Sequence, residues 1–124
     1  MNELWQPVLG YEGFYEVSDQ GRVRSLDRVV QKTRYGKTYS STLNGKVLKP
    51  GFDGDGREQV PLSKKGKVVR RHVHSLVAYS FIGLRPEGLE IDHVNGDHLD
   101  NRSCNLEYVT HEENMRRAVA LGLR

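Results

Sequence analysis

The chain has 124 residues, of which 36% are hydrophobic and 28% are charged. That is enough for one compact domain with a modest core and too little for two ordinary domains. Its single cysteine, Cys104, excludes an internal disulfide and a cysteine-based zinc site. No apolar run approaches the roughly 20 residues of a membrane span, and the N-terminus lacks the pattern of a signal peptide. We therefore expect a soluble, cytoplasmic protein with no membrane partner.

The net charge of +3 is unevenly distributed along the chain. Residues 1–19 carry a net charge of −4 and residues 73–124 carry −3, whereas residues 20–72 hold 14 Lys and Arg against four acids, a net charge of +10. A basic block of this size indicates a polyanionic partner, most simply nucleic acid. The alternative, a solvated sheet surface with scattered basic residues, is compatible with the same charges.

Short apolar runs separated by Gly, Asn and Asp predict antiparallel hairpins in the first half of the chain. The turn at residues 18–21 is expected to join strands that contain Val17 and Val23. Residues 35–37 predict the tip of a loop or of a second hairpin. The pair Asn44-Gly45 predicts another hairpin turn, because both residues tolerate positive φ. Residues 51–56 are expected to form a loop without strand character.

The next segment predicts two strands followed by a helix. Residues 57–62 and 67–73 have strand character, and Pro61 confines the first of them to an edge or to a strand end. The apolar positions then take the spacing of one helical face that ends before Gly83: Val73, Leu76, Val77 and Phe81.

The C-terminal third predicts two short strands and a helix. Residues 90–93 and 106–109 flank a polar, turn-rich loop. Thr110 and Glu113 fit a capping box, which would begin a helix at about His111. Three residues of that helix are expected to face inward: Met115, Ala118 and Val119.

This arrangement can bring a carboxylate and an amide oxygen close to one histidine. Asp92 ends a strand beside His93, and Asn114 lies just inside the helix, 22 residues further on. Oxygen ligands suit Mg²⁺, or Mn²⁺, which keeps several waters and accepts phosphate oxygens. A neutral histidine can deprotonate an attacking water at physiological pH. The segment therefore predicts hydrolysis of a phosphodiester bond.

Residues 90–117 resemble the HNH endonucleases (also called ββα-metal or His-Me finger nucleases), particularly those of phages and introns. The helix at residues 73–83 is similar to the one that leads into the HNH motif, although Ser75 stands where Arg is usual. Residues 5–26 are similar to the modular motif that often precedes HNH domains in homing nucleases. These resemblances run from about Trp5 to Arg117, and residues 28–56 match least.

The resemblance implies a role for each residue of the motif. His93 would be the general base, and Asp92 and Asn114 would be the metal ligands. Asn105 would be a structural residue that braces the loop and helps to orient His93. Asn114 stands where other members have a final His, and this favours Mg²⁺ or Mn²⁺ over Zn²⁺.

The remaining polar residues are expected to have simpler roles. Asp100 and Asn101 are interpreted as turn formers, His98 and His111 as exposed, and His74 as partly buried. Phosphate or groove contacts with double-stranded DNA are expected from basic residues of the first half: Arg22, Arg24, Arg28, Lys32 and Arg34.

We predict an α+β protein in which residues 1–72 form a basic, β-rich DNA-binding region and residues 73–124 form the HNH module, together one compact unit. It is expected to be a phage-encoded nicking or homing-like nuclease in the host cytoplasm, a monomer or a dimer. Homing nucleases of this type commonly carry further DNA-binding helices, whereas this chain ends at Arg124, so relaxed sequence preference is expected. The rivals are a non-catalytic DNA-binding or packaging-accessory protein and an RNA nuclease.

Overall fold

The computed structural model describes residues 2–122. The strands are β1 (Trp5–Pro7), β2 (Tyr15–Ser18), β3 (Val23–Ser25), β4 (Arg28–Arg34), β5 (Lys37–Leu43), β6 (Gly51–Phe52), β7 (Glu58–Lys64), β8 (Lys67–His72), β9 (Leu89–His93) and β10 (Leu106–Thr110). The helices are α1 (Val73–Phe81) and α2 (His111–Ala120), and a 3₁₀ turn at Ser103–Asn105 leads into β10.

All strand pairing among the described residues is antiparallel. The sheets have the orders β1-β2-β3, β4-β5, β6-β7-β8 and β9-β10. The predicted α+β class is confirmed, with antiparallel strands first and a helix after the last strand pair. None of the described helices is long and apolar enough to cross a membrane.

Two of the predicted hairpins are present. Val17 pairs with Val23 across the β2–β3 hairpin. The β4–β5 hairpin turns at Tyr35 and Gly36, whose φ angles are 51° and 72°. Positive φ at both central residues matches the right-handed twist of the flanking strands.

The pair Asn44-Gly45 does not form the predicted hairpin turn. After β5 the chain crosses to β3, where Val47 bridges Arg24. A Cβ on Gly45 would lie 2.3 Å from the Ser25 carbonyl oxygen, so the glycine is needed for close approach and not for a turn. Tertiary packing therefore overrides the local preference of the dipeptide.

Two further expectations need correction. Residues Gly51–Phe52 are a short strand paired with the start of β7, where a loop was expected. Val119 is 61% exposed, although it was expected to face inward with Met115 and Ala118, which are half-buried.

Pro61 lies in the middle of β7, beyond the two residues that pair with β6. At Pro61, β7 is therefore an edge strand on the side of β6, as proline requires.

One hydrophobic core joins the two halves of the chain. Helix α1 buries Val73 and Val77 against residues of β2 and β7, including Val17 and Leu62, which are 0% exposed. The Tyr15 hydroxyl accepts a hydrogen bond from the Ser63 amide at 2.9 Å. Residues of the C-terminal part, 73–124, therefore pack on the same core as residues of the basic region, 1–72.

We expect Gly45→Ala to destabilise the protein by about 1–3 kcal/mol, because the new methyl group would clash with the backbone of β3. Urea unfolding at equilibrium measures the change. Gly54→Ala is the matched control, since Gly54 has open space around it and does not have positive φ. Equal losses of stability in the two variants would contradict this explanation.

Candidate active site

A cleft of about 190 Å³ lies where β9, α2 and the loop after β9 meet. Asp92, His93 and Asn114 all line it, so three of the residues singled out in the sequence come together. Asn105 is not among the lining residues. The full lining is Arg57, Ile91, Asp92, His93, Gly96, His98, Asn114, Met115, Ala118 and Leu121.

Local sequence explains the placement of these residues. In the β9–β10 pair, Asp92 lies opposite Glu107, and His93 is the last residue of its strand. Thr110 caps α2, and its hydroxyl accepts the Glu113 amide hydrogen bond at 3.1 Å. The cap fixes where the helix begins, so Asn114 lies near its first turn and beside β9.

The Asn114 side chain is oriented by Glu90. Its Nδ2 donates to Glu90 Oε1 at 2.6 Å, and this hydrogen bond, followed by that from His111, lowers the pKa of Glu90. Among the described residues, no hydrogen-bond donor contacts Asn114 Oδ1. That oxygen is therefore the atom of Asn114 available to a cation.

The Asp92 carboxylate is held by Arg117 from α2. Arg117 Nη1 donates to Asp92 Oδ2 at 3.0 Å, and the same guanidinium group pairs with Glu107 through Nη1 and with Glu113 through Nε. Within residues 2–122, Asp92 Oδ1 receives no hydrogen bond from a side chain. Arg117 thus fixes the carboxylate plane and leaves one oxygen of Asp92 available.

His93 is 6% exposed, and its Nε2 lies 2.8 Å from Asn101 Oδ1. Asn101 is 3% exposed and donates from Nδ2 to Glu58 Oε1 at 3.0 Å. Burial lowers the pKa of His93 below its ordinary value, while the hydrogen bond to Asn101 opposes that shift. The ring is therefore neutral at physiological pH.

Sequence reasoning missed Asn101 and Glu58. Asn101 was interpreted as a turn former, and its partner Glu58 is 43 residues away on β7. No local spacing links these residues, so only the folded chain reveals the contact.

Asn105 holds the loop between β9 and β10. Its Oδ1 accepts from the Asn95 amide at 3.0 Å, and its Nδ2 donates to Asn95 Oδ1 and to the Asp100 carbonyl. These are the contacts of a residue that braces the loop. The side chain that forms a hydrogen bond with the His93 ring is Asn101, which lies in the loop that Asn105 braces.

A row of aromatic rings lies behind His93. His74 stacks on His72 with ring centroids 5.1 Å apart and meets His93 edge-on at 5.5 Å. His72 in turn pairs with Asp53 at 2.7 Å. Burial, together with the neighbouring His93, His72 and Arg57, lowers the pKa of His74 to about 3.

The site offers two oxygen ligands to a cation. Among residues 2–122, no group of three His, Cys, Asp or Glu side chains is arranged to hold a metal ion. Asp92 and Asn114 would leave the other positions of an ion to water and phosphate. This donor set fits Mg²⁺, which usually keeps several waters, better than it fits Zn²⁺.

The basic residues expected to contact DNA fall into two groups. Arg22 pairs with Glu3 and Arg24 with Glu16, and both guanidinium groups lie over the Trp5 ring. The second group is in or beside the β4–β5 hairpin: Arg28, which lies over Phe14, together with Lys32 and Arg34.

Two family models match separate segments of the chain. Residues 71–116 match a family model described as HNH endonuclease, and residues 3–63 match the NUMOD4 motif. DNA endonuclease I-HmuI of Bacillus phage SP01 is 35% identical over 118 residues, which cover 95% of this chain and 59% of that protein. The uncharacterized HNH endonuclease L247 of Acanthamoeba polyphaga mimivirus is 33% identical, over 95% of this chain and 26% of its own length.

A solved structure described as DNA binding and cleavage by the HNH homing endonuclease I-HmuI has a similar fold. It matches with a TM-score of 0.76 and 34% identity, covering 98% of this chain and 60% of that one. The chain therefore spans less than two thirds of the length of these relatives.

We expect the folded protein to lose stability in mild acid because of His74. Its pKa is about 3 in the folded state and about 6.5 in the unfolded state. The unfolded chain therefore binds more protons between these values, and stability falls as pH drops below about 6.5, by at most about 1.4 kcal/mol per pH unit.

Urea unfolding of the wild type and of His74→Gln at pH 7.5 and pH 5.5 measures this effect. The variant should lose roughly 1 kcal/mol less than the wild type between the two pH values. His98→Gln, at an exposed position, should keep the wild-type loss. The explanation fails if His74→Gln and the wild type lose the same stability.

Proposed function

The chain carries an HNH endonuclease domain preceded by a NUMOD4 motif, and we propose that it is a metal-dependent endonuclease that hydrolyses phosphodiester bonds in double-stranded DNA. The observation that carries this proposal is the convergence of Asp92, His93 and Asn114 on one cleft. The relative I-HmuI, named a DNA endonuclease, supports DNA as the substrate.

His93 is the proposed general base. Its ring is neutral at physiological pH because burial lowers its pKa, so it can accept a proton from water as the water oxygen attacks phosphorus. A positioned base of this kind contributes about 10²–10⁴ in rate. No covalent nucleophile from the protein is required.

Asp92 and Asn114 are the proposed metal ligands, with Mg²⁺ or Mn²⁺ as the ion. A bound divalent ion would supply charge neutralisation at the scissile phosphate and at the leaving oxygen. Glu90 directs the amide oxygen of Asn114 away from itself, and Arg117 holds Asp92. Both ligands are therefore oriented by contacts that exist within the chain.

The β4–β5 hairpin is the proposed DNA-binding arm. It packs on no other described helix or strand over an extended surface, and Tyr35 at its tip is 90% exposed. In the part of the chain that the structure describes, no carboxylate lies within ion-pairing distance of its cations Lys32, Arg34 and Lys37. A two-stranded ribbon fits a DNA groove, and free cations can replace counterions on its phosphates.

Arg22 and Arg24 make a smaller contribution in this proposal. Each already has a carboxylate partner, and both guanidinium groups also stack on the Trp5 ring of β1. These ion pairs are partly exposed and weak, so exchange for phosphate is not prevented. Binding DNA through these arginines would cost each of them its carboxylate partner, whereas Lys32 and Arg34 have no such partner among the described residues.

We expect the protein to convert supercoiled plasmid to open circle in Mg²⁺ and not in the presence of a chelator. One site per chain should produce a nick before any double-strand break. His93→Ala should lower the nicking rate by about 10²–10⁴-fold while the affinity for DNA stays unchanged. A gel assay for topoisomers together with a binding titration measures both quantities.

The same assay separates the alternatives. A non-catalytic DNA-binding protein would bind the plasmid and leave it supercoiled with every divalent ion. An RNA nuclease would cut RNA faster than DNA when single- and double-stranded forms of both are compared side by side. Either result would overturn the proposal.

We expect Lys32→Gln/Arg34→Gln to weaken DNA binding more than Lys65→Gln/Lys67→Gln does. Both pairs remove two charges, but the second pair lies at or beside the β7–β8 turn. If both hairpin cations contact phosphates, the plot of log K against log salt should lose about 1 unit of slope for each, or about 2 in all. Equal effects of the two double variants would show that net charge, and not the hairpin, determines affinity.

A further inference from the structure

We infer that Glu58 is a positioning residue that sets the tautomer of His93 through the amide of Asn101, so that Nδ1 is the nitrogen that receives the proton. The inference rests on the proposed function for the role of His93 as a base. It adds a residue outside the HNH segment to the machinery of the cleft, since Glu58 lies within the NUMOD4 match at residues 3–63.

The first step is the orientation of the Asn101 amide. Asn101 Nδ2 lies 3.0 Å from Glu58 Oε1, and an ionised carboxylate can only accept hydrogen bonds. The reversed amide would place two acceptor oxygens against each other at that distance. Glu58 therefore decides which end of the Asn101 side chain faces His93.

The second step is the orientation of the His93 ring. Asn101 Oδ1 lies 2.8 Å from His93 Nε2, and a carbonyl oxygen accepts only, so Nε2 carries the hydrogen. In a neutral imidazole the other nitrogen, Nδ1, then keeps its lone pair. Water would give one proton to that lone pair while its oxygen bonds to phosphorus and the bond from phosphorus to the leaving oxygen breaks.

Burial makes this contact necessary for the neutral ring. His93 is 6% exposed and Asn101 is 3% exposed, so little solvent is available to replace the hydrogen bond between them. A buried polar group without a partner is costly. The tautomer with a hydrogen on Nδ1 would turn a lone pair of Nε2 towards the Asn101 oxygen and lose the hydrogen bond.

The N-terminal region also fixes the backbone that carries Asn101. The Ser103 amide donates to the Asp19 carbonyl at 2.8 Å. A Cβ on Gly21 would lie 3.1 Å from Asn101 Cβ, which shows how closely the β2–β3 turn packs on this loop. Glu58 therefore acts on a side chain whose main chain is already held in place.

The test compares Glu58→Ala with Gln59→Ala, which alters the next residue of the same strand. Plasmid nicking gives kcat and KM, and two-bond ¹H–¹⁵N spectra of the imidazole show which nitrogen of neutral His93 carries the hydrogen. Glu58→Ala should lower kcat by up to about 10-fold with KM unchanged, because the hydrogen bond that selects one amide orientation is lost and only part of the His93 rings keep the Nε2–H form. The spectra should change from the Nε2–H form to a mixture, whereas Gln59→Ala should leave kcat and the spectra unchanged.

A reciprocal exchange separates orientation from general damage to the fold. Asn101→Asp alone places a carboxylate against Glu58 and should lower kcat. Combining it with Glu58→Gln restores the polarity: the amide at position 58 donates to the carboxylate at position 101, which accepts from His93 Nε2. The double variant should recover the Nε2–H tautomer and most of the kcat lost in Asn101→Asp.

Two results would overturn the inference. One is an unchanged His93 tautomer in Glu58→Ala, whatever happens to kcat. The other is a double variant no better than Asn101→Asp. If the wild type does not cut DNA but its tautomer still responds to Glu58, the proposed function fails and the positioning contact stands. If the wild type cuts and the tautomer ignores Glu58, only this inference fails.

Discussion

The three hydrogen bonds of the Asn105 side chain are the constraint on which the rest of the site depends. They close the loop between β9 and β10 onto itself, at Asn95 and Asp100. The Asn105 carbonyl also accepts the Val94 amide immediately after His93. A loop held in this way keeps β9 in register with β10 and presents Asn101 to the His93 ring. Without the hydrogen bonds of Asn105, the strand that carries Asp92 and His93 would be followed by a polar loop with no fixed conformation.

Two amide side chains at the site are oriented by hydrogen bonds to carboxylates. Glu90 accepts from Asn114, and Glu58 accepts from Asn101. An amide side chain has nearly the same shape at both ends, so packing alone orients it poorly. A hydrogen bond to a charged group is worth about 1.5–3 kcal/mol, enough to select one orientation. The exposed ion pair between Arg22 and Glu3 is worth much less, because solvent screens it.

The parts of the fold that were predicted from sequence are those set by neighbours in the chain. The cap at Thr110, the apolar face of α1 and the strands around the polar loop all follow from local spacing. These local features suffice to bring Asp92, His93 and Asn114 to one cleft. Contacts between segments that are distant in the chain could not be predicted from local spacing. Examples are the contact of Asn101 with Glu58 and that of Gly45 with β3.

Different strands of the N-terminal region have different proposed roles. In the proposed function, the β4–β5 hairpin would contact DNA without disturbing the cleft, because it packs on no other described helix or strand over an extended surface and its lysines have no carboxylate partner among the described residues. The β2–β3 turn contacts the loop that carries Asn101, and β7 carries Glu58, which accepts a hydrogen bond from Asn101. In the proposed nuclease, DNA binding and cutting would therefore not divide between residues 1–72 and residues 73–124. The strands that carry Glu58 and His93 pack on one shared core through Val60 and Ile91. The orientation proposed for His93 therefore requires both halves to be folded together, whereas the proposed affinity for DNA would depend on the hairpin.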